Sequence, residues 1–138
     1  MNKQGFTLIE VLIAIVIVGI ALVSLIAANS SFTSTNDYGV KLSTSEFLIE
    51  QIREMTTLTE YDDLHSFDEA VYSPPKNAED EDLTEFGAFS QQIIVQNVSE
   101  SDFENVVPDG STPFMRVTVE IRLNSKPISS ASWIRAAY

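Results

Sequence analysis

The sequence predicts an α+β protein: a long N-terminal helix, its first half transmembrane, packed against a small C-terminal antiparallel β-sheet. Three observations carry this. Residues 11–28 form an apolar run broken only by Gly19 and Ser24. Residues 40–58 place apolar side chains at helical spacing. Residues 115–123 alternate apolar and polar, which is the period of a half-buried strand.

The apolar run is about 27 Å long as a helix at about 1.5 Å per residue. That nearly spans a hydrocarbon core of about 30 Å. Lys3 is the only charge ahead of Glu10, so the positive-inside tendency puts the N-terminus in the cytoplasm and the remainder across the membrane. A cleaved secretory signal fits poorly. Its apolar region is about 7–15 residues and ends in a small-x-small site. Here the run is longer, Glu10 interrupts its start, and Ile26-Ala27-Ala28 matches the cleavage rule badly.

Residues 29–36 are polar, but no proline occurs before Pro74, so the helix can continue through them. Gly39 is a soft spot. Beyond it, Phe47 or Leu48, then Ile52, Met55 and Leu58 make an apolar stripe, with Glu46, Glu50, Arg53 and Glu54 opposite. Glu50 and Arg53 stand at i,i+3, a spacing worth only tenths of a kcal/mol. One helix over residues 6–58 is expected, its second half lying on the sheet.

The segment 61–87 reads as an acidic connection holding Pro74-Pro75 and Asn77-Ala78-Glu79-Asp80-Glu81-Asp82. It lacks the alternating Asp/Asn positions and central Gly of an EF-hand loop, so a solvated loop rather than a metal site is expected. An early strand is expected over residues 91–98, a turn at Pro108-Asp109-Gly110, the alternating strand over 115–123, a turn over 124–127, and a return strand over 128–137 anchored by Trp133. The sheet should have three or four strands.

Composition narrows function. The formal net charge is −12, which argues against a general nucleic-acid binder. Residues 54–109 carry 15 acids and one base, Lys76; from residue 110 onward stand four bases, Arg116, Arg122, Lys126 and Arg135, and one acid, Glu120. Cysteine is absent, so neither disulfides nor a thiol-linked lipid anchor is available. His65 is the only histidine, and it reads as a surface residue of the acidic loop. Asp62, Asp63 and Asp68 lie near it, but no nucleophile motif, phosphate loop or His/Cys metal spacing accompanies them. No catalytic residue, metal ligand or cofactor is predicted, and the chain does not read as an enzyme.

The stretch Lys3-Gln4-Gly5-Phe6-Thr7-Leu8-Ile9-Glu10-Val11-Leu12-Ile13-Ala14 resembles the class III prepilin leader of the type IV pilin superfamily. The resemblance implies a pilin-like fold and cleavage between Gly5 and Phe6 by a prepilin peptidase, with N-methylation at Phe6. Losing residues 1–5 removes Lys3 and lowers the formal charge by one unit. Gly5 lets an active site approach the backbone closely. Glu10 then becomes the fifth mature residue. In pilin-like assembly it pairs with the Phe6 amine of an adjacent subunit; the intramolecular alternative is a contact with its own amine. The implied partners are other pilin or pseudopilin subunits, the prepilin peptidase and an inner-membrane assembly platform. The implied location is single-pass in the inner membrane, with the C-terminal domain periplasmic or extracytoplasmic, or carried into an extracellular pilus.

On this reading, residues 1–5 are the leader, 6–28 the transmembrane and assembly half of the helix, 29–58 its amphipathic half, 59–89 the acidic loop region, and 90–138 the sheet. Many major pilins carry a proline where this chain has Ala27, although Gly19 is kept. Glu46-Phe47-Leu48-Ile49-Glu50-Gln51-Ile52-Arg53 and Tyr61-Asp62-Asp63-Leu64 resemble minor pilins of the PilV type and the related type II secretion pseudopilins. A minor pilin is the reading adopted. A type II secretion pseudopilin, a major pilin and a membrane-tethered binding domain are the alternatives.

Overall fold

The computed structural model describes residues 7–137. Helix α1 runs Leu8–Leu58, and four strands follow: β1 (Val71–Tyr72), β2 (Phe89–Asn97), β3 (Phe114–Leu123) and β4 (Lys126–Ala136). The chain divides into two compact units, Met1–Val40 and Lys41–Tyr138. The expected helix over residues 6–58 is present as α1 from Leu8 onward; Thr7 precedes it and Phe6 lies outside the described residues.

In the first unit every described residue is exposed, apolar ones included. The backbone is α-helical through both Gly19 and Gly39. Three hydroxyls turn back onto the helix: Ser24 Oγ donates to the Ile20 carbonyl at 2.9 Å, Thr33 Oγ1 to Asn29 at 3.0 Å, and Thr35 Oγ1 to Ser31 at 3.0 Å. Back-bonding of this kind satisfies the side chain without any neighbour.

In the second unit α1 buries Ser45, Leu48, Ile49, Ile52, Met55 and Thr56 against the sheet. This corrects the expected stripe. Leu58 is 75% exposed and Phe47 is 45% exposed. At 3.6 residues per turn Leu58 is rotated by roughly 120° from Ile52, off the buried face. Phe47 instead meets Phe86 on the surface, with ring centroids 5.8 Å apart. The Glu50–Arg53 pair forms at 3.5 Å, on exposed side chains.

The sheet is antiparallel in the order β1-β2-β3-β4. Its inner face supplies Ile93 and Val95 from β2, and Met115, Val117, Val119 and Ile121 from β3. These are the alternate positions of each strand, as the period of two requires. Strand β1 arises inside the segment expected to be loop, where Val71 and Tyr72 pair with Gln92 and Gln91. Its two residues are too few to show periodicity. Two short 3₁₀ helices, Tyr61–Phe67 and Thr84–Phe86, occupy more of that segment, and Leu64 of the first is buried in the core. The turn between β3 and β4 is tighter than expected. Only Asn124 and Ser125 lie between the strands, with φ of 49° and 68°, the left-handed pair that closes a two-residue hairpin. Pro127 therefore falls inside β4, which an edge strand tolerates.

Polar side chains tie the layers. Gln91 and Asn97 are fully buried on β2. Asn97 Nδ2 donates to the Thr112 carbonyl at 3.1 Å, while its Oδ1 accepts from His65 Nε2 at 3.1 Å. His65 is thus a half-buried strut between the first 3₁₀ helix and β2, not the free surface residue expected. At the far end of α1, Arg135 of β4 donates to the Thr56 carbonyl and, at 3.2 Å, to the Thr59 carbonyl. Trp133 is half-buried against the core, with the Arg53 guanidinium 5.3 Å from its ring centroid.

Candidate assembly site

Glu10 stands in the first turn of α1, three residues after Thr7. Thr7 is the last residue before the helix and Glu10 the third within it, which is the spacing of a capping box. The reciprocal bonds are present. The Thr7 backbone N–H donates to Glu10 Oε2 at 2.8 Å, and Thr7 Oγ1 donates to the same oxygen at 2.7 Å. In return the Glu10 backbone N–H approaches Thr7 Oγ1 at 3.4 Å. Two donors that a helix start leaves unpaired are thereby answered.

Both Thr7 bonds converge on Oε2. Oε1 receives no hydrogen bond from any described residue, and Glu10 makes no ion pair among the described residues. The carboxylate can therefore hold its own helix start with one oxygen and offer the other to an external cation. Gly5 and Phe6, the expected cleavage and methylation positions, lie outside the described residues. Thr7 was missed in the sequence reading, although Thr7-Leu8-Ile9-Glu10 directly before an apolar run is the written form of a capping box.

Below Glu10 the same helix face continues as a shallow apolar groove past Val11, Ala14, Ile15, Val18, Gly19 and Leu22. Gly19 faces open space: a Cβ built there meets nothing within 4 Å. The most apolar 18-residue window of α1 has a mean hydropathy of 3.2, and none of it is buried. By length and composition the helix is a candidate membrane span. No three His, Cys, Asp or Glu side chains gather into a metal site among the described residues.

Residues 1–26 match the family model for the prokaryotic N-terminal methylation motif. The match supports a type IV pilin-like or pseudopilin-like protein. For a pilin-like chain this motif implies processing by prepilin peptidase and assembly with other pilins, and it supports a structural subunit. The pilin-like leader and the apolar helix behind it are consistent with membrane anchoring. The comparison with curated proteins and that with solved structures return no match.

Proposed function

We propose that this protein is a minor pilin subunit of a type IV pilus, cut between Gly5 and Phe6, N-methylated at Phe6, and docked into a filament through Glu10. The observation that carries the reading is the methylation motif over residues 1–26 with Glu10 in the first turn of the helix. An unpaired carboxylate in lipid costs roughly 2.5–3.5 kcal/mol at a helix centre on insertion scales and less near an interface. A neighbouring Phe6 amine offsets part of that cost through a charge pair in low dielectric. Cleavage ahead of the apolar run both creates that amine and leaves the helix on the mature chain.

Oε1, which receives no hydrogen bond from the described residues, fits this role, since docking there leaves the capping box undisturbed. Residues 46–53 and 61–64 resemble minor pilins and secretion pseudopilins alike, so the system served is read from the phenotype. Deletion should abolish surface filaments while leaving secretion of folded proteins intact; the reverse result assigns a pseudopilin.

Intact-mass measurement of the purified protein tests the first step. The expected mass lacks residues 1–5 and gains one methyl group. Retention of Met1 through Gly5 overturns the proposal and favours a tethered binding module. Gly5→Leu should leave the uncut precursor.

A further inference from the structure

The two edges of the sheet are built differently. Edge β1 is two residues long and runs into Pro74 and Pro75. Edge β4 is 11 residues long and pairs only with β3. Natural sheets blunt such an edge with charge, proline or brevity. Here Lys126 and Pro127 stand at one end of β4 and Arg135 at the other, and residues 128–134 are uncharged.

The register fixes which backbone groups are free. Ala137 N–H donates to the Pro113 carbonyl at 2.9 Å, so between that bond and the register shift at Ile121/Arg122 the odd-numbered residues 129–135 of β4 bond inward to β3. Ser130, Ser132 and Ile134 therefore turn their N–H and C=O groups to the outer edge. All three residues are exposed. Their side chains are small or apolar and raise no charge barrier to an incoming strand.

We infer that the outer edge of β4 accepts an extended, acid-flanked segment of a different protein as a fifth strand. Charge selects this occupant. The edge lies in the one basic stretch of an acidic chain. Lys126 is exposed and in no described ion pair, and Arg135 is spent on neutral carbonyls rather than a carboxylate. A second copy of this chain is disfavoured. Antiparallel β4–β4 pairing sets Lys126 against Arg135, and parallel pairing sets each base against itself. An incoming strand with an acid at each end and uncharged residues between them meets the Lys126 ammonium at one end and, at the other, the positive charge of Arg135, which its carbonyl bonds leave without a carboxylate among the described residues, and it gains the main-chain ladder of strand addition. The inference stands on the sheet alone and does not depend on leader processing.

The test uses the full chain in detergent micelles and two synthetic peptides, Asp-Thr-Val-Thr-Val-Thr-Val-Thr-Asp and its twin with Lys at both ends. Amide exchange is followed residue by residue. The Asp-ended peptide should slow exchange at Ser130, Ser132 and Ile134 by about tenfold or more, with Val117 and Val119 unchanged, and the Lys-ended twin should bind about tenfold more weakly. Ser132→Pro, which removes an outward N–H, should weaken binding by at least about tenfold while Ser132→Ala does not. If the proline variant fails to fold, a peptide N-methylated along one edge replaces it, and loss of protection is again expected. Absence of binding, equal binding of both peptides, or edge amides already protected in the protein alone overturns the inference. Protection that grows with protein concentration also overturns it, because a second copy then fills the edge.

Discussion

The Gln91 side chain donates from Nε2 to the Leu48 carbonyl at 3.0 Å, so a residue of β2 is hydrogen-bonded to the backbone of α1 through the protein interior. The same nitrogen donates to the Lys76 carbonyl at 3.0 Å, and Oε1 accepts from the Lys76 N–H at 2.7 Å. One amide therefore joins helix, sheet and the loop that crosses them. Gln91→Leu keeps the volume but leaves both backbone groups of Lys76 without this partner. A loss of about 2–4 kcal/mol in unfolding free energy is expected by thermal or denaturant unfolding. A change below about 0.5 kcal/mol would show that the bracket is dispensable.

Glu10 holds two tasks that substitution can separate. Glu10→Gln keeps a capping side chain but removes the charge. It should preserve slow exchange in the first turn yet block filament incorporation. Thr7→Ala should do the opposite at the helix start, costing about 1 kcal/mol of local stability. Amide exchange at residues 8–11 reads the cap, and immunoblotting of sheared filaments reads incorporation. Normal incorporation of Glu10→Gln would refute the charge-pairing role.

Arg135 closes the C-terminal end of α1 by donating to the Thr56 and Thr59 carbonyls. A cation is favoured there by the helix dipole as well. Arg135→Ala should cost about 1–2 kcal/mol, and Arg135→Lys should recover only part of it, because an ammonium lacks the planar fork. Melting temperatures of the three proteins decide the order.

Two groups, the exposed Asp102 and the half-buried Lys76, give opposite pH dependences. Backbone N–H groups of Glu104 and Asn105 hold the Asp102 carboxyl below its ordinary value. Its contribution is present above an unfolded pKa of about 3.9 and is lost as pH falls through the lowered folded value. The Asp80 hydrogen bond, first, pushes the Lys76 ammonium up. That contribution is complete below about pH 10.4 and is lost as pH rises through the raised folded value. Exchange protection at Glu104 and Asn105 should therefore fail in acid, and the loop around Asp80 should loosen in strong base. Protection at Glu104 that persists after full protonation would contradict this reading of Asp102.

Most of the architecture was legible because it rests on strong periodicity. The apolar run, the helix over residues 40–58 and the alternation at Met115, Val117, Val119 and Ile121 each follow one hydrophobic face. Positions at the margin of a face were harder. Leu58 looks apolar enough for the core, but helical rotation carries it outward. Strand β1 escaped because two residues cannot alternate, and it exists through its pairing with β2. Gln91 and Asn97 were invisible for another reason. They occupy core positions of a strand, where polarity alone argues for the surface, and only their distant partners explain their burial. At the candidate assembly site Glu10 stood out by charge, whereas Thr7 needed attention to helix termination rather than to hydrophobicity.

Ser24 carries one last implication. Its only hydrogen-bond donor is already given to the Ile20 carbonyl of its own helix, which leaves Oγ able only to accept. Between residues 11 and 28 no other side chain can form a conventional hydrogen bond. The segment therefore has no free side-chain donor dictating its azimuth among apolar neighbours. It is free to spin to the best steric fit, and the rotational setting must come from Glu10 above it or from Asn29 onward below.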